Sequence, residues 1–346
     1  MQLVPALNSA ICWEPFPLFK ETLSAGNLFD LNLIGILRDY TPEFICCNIL
    51  PLFQVKTNKT IEYKDLSDLN FSSYLAGIIE GDGTIIVPKT ERSVKDKINY
   101  PSIQIVFHLK DMPLALMIQK ELKNGSLSRK KGVNAYILTI NNYEGLLLLT
   151  SIINGNMRTP KIFALYNLID WLNANFEEID ISKKPLNNSP LDSNAWLAGF
   201  IEAEGLFSVR TTSTSKNFKV ECKLEISNRQ KDHKGRNNLD FIEILGNFLL
   251  STVKSIKVDK PQPRYRIRTT SLKGNLILIN YLDTFPLFGS KYLDYKDWAK
   301  VLDLYKSGQF KYETNIDKIH LIKSYMNENR TVFTWDHLNQ FYNLDN

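Results

Sequence analysis

Two stretches of the chain share one arrangement of apolar, small and acidic positions. Tyr74-Leu75-Ala76-Gly77-Ile78-Ile79-Glu80-Gly81-Asp82-Gly83 reads as a helix that stays free of charge until its last turn. Trp196-Leu197-Ala198-Gly199-Phe200-Ile201-Glu202-Ala203-Glu204-Gly205 repeats it position by position, 122 residues later. A unit of that length is far longer than a solenoid repeat, so the pattern predicts a duplicated domain.

The elements that follow also match. Alternating apolar and polar positions predict strands at 84–87, 102–109, 126–131 and 135–140 in the first copy, the last two joined by a turn at Gly132-Val133-Asn134. The second copy has them at 206–212, 219–227, 255–258 and 264–269, with a turn around Lys260-Pro261-Gln262-Pro263. Helical spacing predicts a helix within each set, at 113–122 and 239–250. Two more helical segments close each copy, and Pro160-Lys161-Ile162 aligns there with Ser290-Lys291-Tyr292. Ser72 or Ser73 is expected to N-cap the first motif helix, and Asp192 or Ser193 the second.

This organisation predicts an α+β protein with half-domains at 71–178 and 193–310. The polar, proline-containing stretch Ser182–Pro190 lies in a linker over 179–192. Residues 311–346 read as an accessory tail with a helix near 316–326, and residues 1–70 as an extension of unclear role that packs partly on the main body.

Composition narrows the picture only a little. The chain has 346 residues, 44% hydrophobic and 23% charged, which suits a globular protein with real cores. No apolar run reaches the roughly 20 residues of a membrane helix, so no membrane partner is expected. Cys12, Cys46, Cys47 and Cys222 form no CxxC pair, which argues against a zinc site and fits free thiols in a reducing compartment. No import signal is evident at the start of the chain, which leaves cytosol, nucleus or synthesis inside an organelle open. A net charge of +5 permits a nucleic-acid partner only if the basic residues cluster.

The motif helices suggest the chemistry. Gly77 and Gly81, like Gly199 and Ala203, sit four apart on one face, where small side chains let two helices approach closely. Asp82 and Glu204 end the helices, each followed by glycine. Acids are misplaced at the negative end of a helix dipole. If the helices run side by side in the same sense, both carboxylates converge, and a divalent cation with oxygen ligands resolves the repulsion. A single helix of this kind would be read as packing with a solvated acid at its end. Glu80 and Glu202, two residues earlier, are expected to bond backbone or side chains rather than a metal.

These residues resemble the signature of the LAGLIDADG homing endonucleases, in the single-chain form with two motifs. The resemblance spans about residues 70–310. It implies two pseudo-symmetric αββαββα half-domains with saddle-shaped antiparallel sheets and the motif helices packed at their interface. It implies a monomer that hydrolyses both strands of a long double-stranded DNA target, leaving short 3′ overhangs. The cofactor would be Mg²⁺ or Mn²⁺, with Ca²⁺ binding without cleavage. Asp82 and Glu204 take the metal-binding role, and Gly81 and Ala203 are further candidate metal positions. Lys161 and Lys291 are candidates for the catalytic cationic residue that the family carries near each site, to stabilise phosphate charge or polarise water, set against a reading as solvated lysines at helix starts. His108 and Asn228, late in matching strands, are candidates for positioning water. The family also implies intron mobility, mitochondrial localisation and, for some members, splicing of their own intron RNA.

The strands supply candidate DNA contacts. Arg264, Arg266 and Arg268 alternate along one strand and share a face. Arg210, Lys219, Lys223 and Arg229 lie on neighbouring strands, and Lys89, Arg92, Arg129, Lys130 and Lys131 in the first copy. Such residues read guanine or touch phosphate, while Glu221 and Glu225 can accept from cytosine. The alternatives are an intron RNA maturase on the same scaffold and a DNA binder without chemistry.

Overall fold

The computed structural model describes residues 69–90, 92, 94, 96, 99–214, 217–232 and 234–342. The expected N-terminal extension, with Cys12, Cys46 and Cys47, therefore lies outside the described residues except for its last two, which open the first helix.

Helix α1 (Leu69–Asp82) runs directly into β1 (Gly83–Ile86), and β2 (Ser102–His108), α2 (Met112–Leu122), β3 (Ser126–Arg129) and β4 (Ala135–Ile140) follow. Helices α3 (Tyr143–Ile153) and α4 (Ile162–Asn175) close the first half. The second half repeats the order with α5 (Trp196–Glu204), β5 (Gly205–Thr214), β6 (Asn217–Arg229), α6 (Leu239–Phe248), β7 (Lys254–Ile256), β8 (Arg264–Arg268), α7 (Leu272–Thr284) and α8 (Lys291–Lys306). Each half builds one antiparallel four-stranded sheet, in the order β1-β2-β4-β3 and β5-β6-β8-β7. The fold is α+β, as the repeated pattern predicts.

One face of each sheet carries the core. Ile103, Ile105, Phe107, Leu138 and Ile140 are buried on the first, and Phe207, Val209, Cys222, Leu224, Ile226 and Ile267 on the second. Strict period-two alternation puts the intervening residues on the opposite, open face. Cys222 is a packing residue, and burial pushes its thiol up to about 12.

The motif helices pack on each other along their small residues. A Cβ at Gly77 would collide with the Trp196 carbonyl, and one at Gly199 with the Tyr74 carbonyl. No larger residue fits while the backbones touch this way.

Both predicted helix caps are displaced. Ser72 and Ser73 lie buried inside α1, and the Ser73 hydroxyl donates to Asn70 O at 3.1 Å, which lets a serine stay within a helix. Before α5, Leu191–Ser193 form a 3-10 turn, and Asn194 Oδ1 accepts from Trp196 N at 3.0 Å instead of Asp192 or Ser193. The linker is tied to the first half. The Arg158 guanidinium donates to Ser189 O at 2.6 Å and to Ser189 Oγ at 2.8 Å, and Asn154 bonds Ser182 O and Lys184 N.

The tail begins with α9 (Glu313–Ser324), shifted slightly from its predicted span. Beyond it, Arg330 inserts between Asp294 and Asp297 of α8, with all three side chains nearly buried. Phe341 and Tyr342 then pack edge-on against Phe71, Tyr74 and Phe288, next to the start of α1.

Candidate active site and DNA interface

Because α1 and α5 are packed by residues one repeat apart, their C-terminal ends meet. Asp82 and Glu204 lie close enough for the Asp82 charge to raise the Glu204 carboxyl. Burial is the larger cause, and Arg264, Lys161 and Lys291 offset it only in part. Asp82 is exposed as a residue, yet the protein packed around it holds its carboxyl above the usual range despite Lys291 and Lys161. Both sites therefore hold a carboxyl that is costly to ionise without a cation.

The two predicted lysines do come to this place. Lys161 Nζ donates to Ile79 O at 2.9 Å, Glu80 O at 2.7 Å and Gly83 O at 2.7 Å, with a longer contact of 3.4 Å to Gly81 O. Lys291 Nζ donates to Ile201 O at 3.0 Å and Glu202 O at 2.7 Å, and reaches Ala203 O at 3.4 Å. Each ammonium thus satisfies the last carbonyls of a motif helix and counters its negative end. They are not solvated lysines. Burial lowers Lys161 to about 8, although Glu80, Asp82 and Glu204 pull it the other way. Lys291 is lowered for the same reason.

Glu80 and Glu202 turn away from the cleft, as expected of them. Glu80 is buried and accepts from Arg158 N at 2.9 Å, Thr159 N at 2.6 Å, Thr159 Oγ1 at 2.6 Å and Trp196 Nε1 at 2.6 Å. Glu202 accepts from Phe288 N at 3.0 Å, Gly289 N at 3.1 Å and the Tyr74 hydroxyl at 3.2 Å. Each glutamate clamps the loop that delivers the lysine of its own half and the aromatic that precedes the Leu-Ala-Gly stretch of the other motif helix. Trp196 and Tyr74 were overlooked in the sequence. Their signal was there, since both occupy the same motif position and carry a donor.

Gly81 and Ala203 have no liganding side chain, so only their carbonyls could bind a cation. Among the described residues no group of three or more His, Cys, Asp or Glu forms a metal cage. Two carboxylates with neighbouring carbonyls fit a hard cation that keeps waters and takes further oxygens from a phosphate, as Mg²⁺ does.

Strand register corrects the pairing of His108 with Asn228. Gly83 lies opposite Ile105, and Gly205 opposite Ile226, so His108 corresponds to Arg229 and Asn228 to Phe107. One residue of offset turns a side chain to the other face. His108 lies on the open face, where its Nδ1 accepts from Lys110 N at 3.3 Å, while Asn228 follows the core side.

Most of the predicted DNA contacts gather on the open face of the second sheet. Arg264, Arg266 and Arg268 sit opposite Arg229, Ser227 and Glu225, and Arg210 lies opposite Glu221. Lys219, Lys223 and the overlooked Lys254 share that face. Arg210, Lys219 and Arg229 are exposed, but Lys223 is buried and pairs with Glu221 at 2.7 Å. Arg268 Nε donates to Glu225 at 2.8 Å, and Arg266 lies 3.8 Å from the same carboxylate. Arg264 departs from its predicted role as a base reader alone, since it reaches Glu204 at 3.5 Å and Ser227 O at 2.7 Å. Nothing in its sequence position signals that contact.

The first half is different. Arg129 pairs with Tyr136, in phase with the buried Leu138, so it is not on the open face of its sheet. Lys89 and Arg92 follow β1, and Lys130 and Lys131 occupy the β3–β4 turn, all exposed.

The sequence matches the LAGLIDADG endonuclease family over residues 75–172 and 197–302. It is 32% identical over 330 residues to the intron-encoded DNA endonuclease aI3 of Saccharomyces cerevisiae, covering 84% of this chain and 77% of that protein. It is 27% identical over 307 residues to an uncharacterized cox1 intron-2 protein of Schizosaccharomyces pombe, covering 86% and 83%. It is also 34% identical over 145 residues to the intron-encoded RNA maturase bI4 of Saccharomyces cerevisiae, covering 41% of this chain and 20% of that protein. The LAGLIDADG meganuclease I-AabMI, solved bound to uncleaved DNA, has the same fold with a TM-score of 0.59 and 22% identity, over 74% of this chain and 99% of that one. The match covers both motif helices and the sheets that follow them, and the chain belongs to the LAGLIDADG endonuclease family.

Proposed function

We propose that the protein is a monomeric, site-specific homing endonuclease that hydrolyses both strands of a long double-stranded DNA, leaves short 3′ overhangs and supports intron mobility in mitochondria. The observation that carries this reading is the meeting of Asp82 and Glu204 at the ends of two helices that cannot be separated by a single Cβ. In this reading Asp82, Glu204 and the carbonyls of Gly81 and Ala203 hold Mg²⁺ or Mn²⁺. The bound cation supplies charge for the attacking and leaving oxygens of the phosphodiester. Lys161 and Lys291 stabilise charge on the scissile phosphates from beside each helix end. Lys89, Arg92 and Lys130, in the loops of the first half, engage the DNA around one half-site; Arg129, turned from the open face, does not. Arg210, Lys219, Lys223, Arg229, Arg264, Arg266 and Arg268 engage it at the other.

Asp82→Asn and Glu204→Gln should each abolish double-strand cutting in Mg²⁺ and leave DNA binding intact. Full cutting by the double variant would overturn the mechanism. The likeness to an RNA maturase favours one second reading, in which the protein also assists splicing of its own intron. Splicing rescued equally by the wild type and the double variant would support that role as separate from cleavage.

A further inference from the structure

The open faces of the two sheets differ in kind. On the first, Gln104, Val106 and His108 of β2 stand opposite Thr139, Ile137 and Ala135 of β4. Thr84 and Ile86 extend the face on β1, and Ser126 and Ser128 on β3. No Lys, Arg, Asp or Glu stands on this face within the four strands. The cations of that half are displaced to the loops, at Lys89, Arg92, Lys130 and Lys131. The second face carries cations and acids through its centre, with Arg264, Arg266 and Arg268 across from Arg229, Ser227 and Glu225.

We infer that the two halves read DNA of opposite composition: the first sheet an A·T-rich half-site, the second a half-site with several G·C pairs. This rests on the proposed DNA-cleaving function and deepens it. In the major groove guanine presents two acceptors that suit Arg, and cytosine an amino donor that suits a carboxylate. Glu225 holds Arg266 and Arg268 beside an acceptor, so a donor and an acceptor are presented side by side, as a G·C pair requires. Adenine suits a side-chain amide, which Gln104 offers, and the thymine methyl suits small apolar groups such as those of Ala135, Val106 and Thr139. Apart from Gln104, His108 and a few hydroxyls, this face offers no donor, and no cation, to the two acceptors of guanine. Loop cations in the first half suit phosphate, which fixes register without reading sequence.

The test uses the full chain with Asp82→Asn and Glu204→Gln, in Ca²⁺, to select bound duplexes from a library randomised over both half-sites. Sequencing should return one A·T-rich and one G·C-containing half. In the same protein, Arg266→Ala and, independently, Arg229→Ala should each relax a guanine preference in the G·C half by about tenfold and leave the other half unchanged. Gln104→Ala should relax an adenine position in the A·T half alone. Two halves of equal composition, or arginine variants that alter the A·T half, would overturn the inference while leaving DNA recognition intact. Failure to enrich any sequence would overturn both the inference and the DNA reading beneath it. Cleavage of a selected duplex by the unsubstituted protein tests the catalytic reading separately.

Discussion

Asp82 and Glu204 differ from ordinary surface acids because each sits where a motif helix ends against packed protein, near enough for the Asp82 charge to act on Glu204. Their carboxyls are raised, chiefly by burial. Without a cation, ionising them costs the fold stability as pH rises through that raised range. A bound cation removes the cost, but protons compete with it at higher pH than for a free acid. Thermal stabilisation by Ca²⁺ should therefore be full at neutral pH and fade as pH drops through the raised carboxyl range. Asp82→Asn with Glu204→Gln should remove most of the stabilisation. A Ca²⁺ shift that ignores pH would argue against these ligands. Glu80 has a different task. Replacing it by alanine leaves the Arg158 and Thr159 amides and the Trp196 indole without their acceptor inside the protein. The loss should be about 3 kcal/mol or more in denaturant unfolding, since each buried orphan donor costs roughly 1–3 kcal/mol. Glu80→Gln keeps one carbonyl oxygen and should cost less.

At the scale of elements, the helix pair sets the distance between the two acids. Gly77→Ala would drive a methyl into the Trp196 carbonyl, a rigid backbone group. Overpacking of this kind typically costs about 1–3 kcal/mol. The melting temperature should fall, and DNA cutting should fall further than stability alone explains, because the carboxylates separate. Ala203→Gly opens space instead and should cost only about 1 kcal/mol, the helix penalty of glycine. Equal cutting by Gly77→Ala and the parent protein would mean that the helix spacing does not govern the site. The strands show how little an element needs to move to change role. His108 and Asn228 both fall late in matching strands, yet register puts them on opposite faces.

At the scale of the whole molecule, the linker and the tail brace the two halves. Arg158 belongs to the first half and holds the linker through Ser189. The tail returns across α8 to the start of α1, and Arg330 anchors it between Asp294 and Asp297. Arg330→Met would leave the nearly buried Asp294 without its cation and Asp297 with only the exposed Lys300. Breaking a buried pair from one side costs about 3–5 kcal/mol, and Phe341 should become more accessible to protease cleavage nearby. Unchanged unfolding and unchanged proteolysis would show that the tail is not held this way.

The duplication, the order of elements, the fold class and the pair of candidate acids were legible in the sequence. Each is written in local periodicity or in identity between two stretches, and neither needs knowledge of what lies across the fold. The destinations of Lys161 and Lys291 were half legible: their alignment marked them, but only folding brought them onto carbonyls of the motif helices. The contact of Arg264 with Glu204, the crossed clamps of Glu80 on Trp196 and Glu202 on Tyr74, and the uncharged face of the first sheet belong to the tertiary structure. Antiparallel register and helix packing decide these, by joining residues distant in sequence, and a shift of one residue in register reverses the face that a side chain meets.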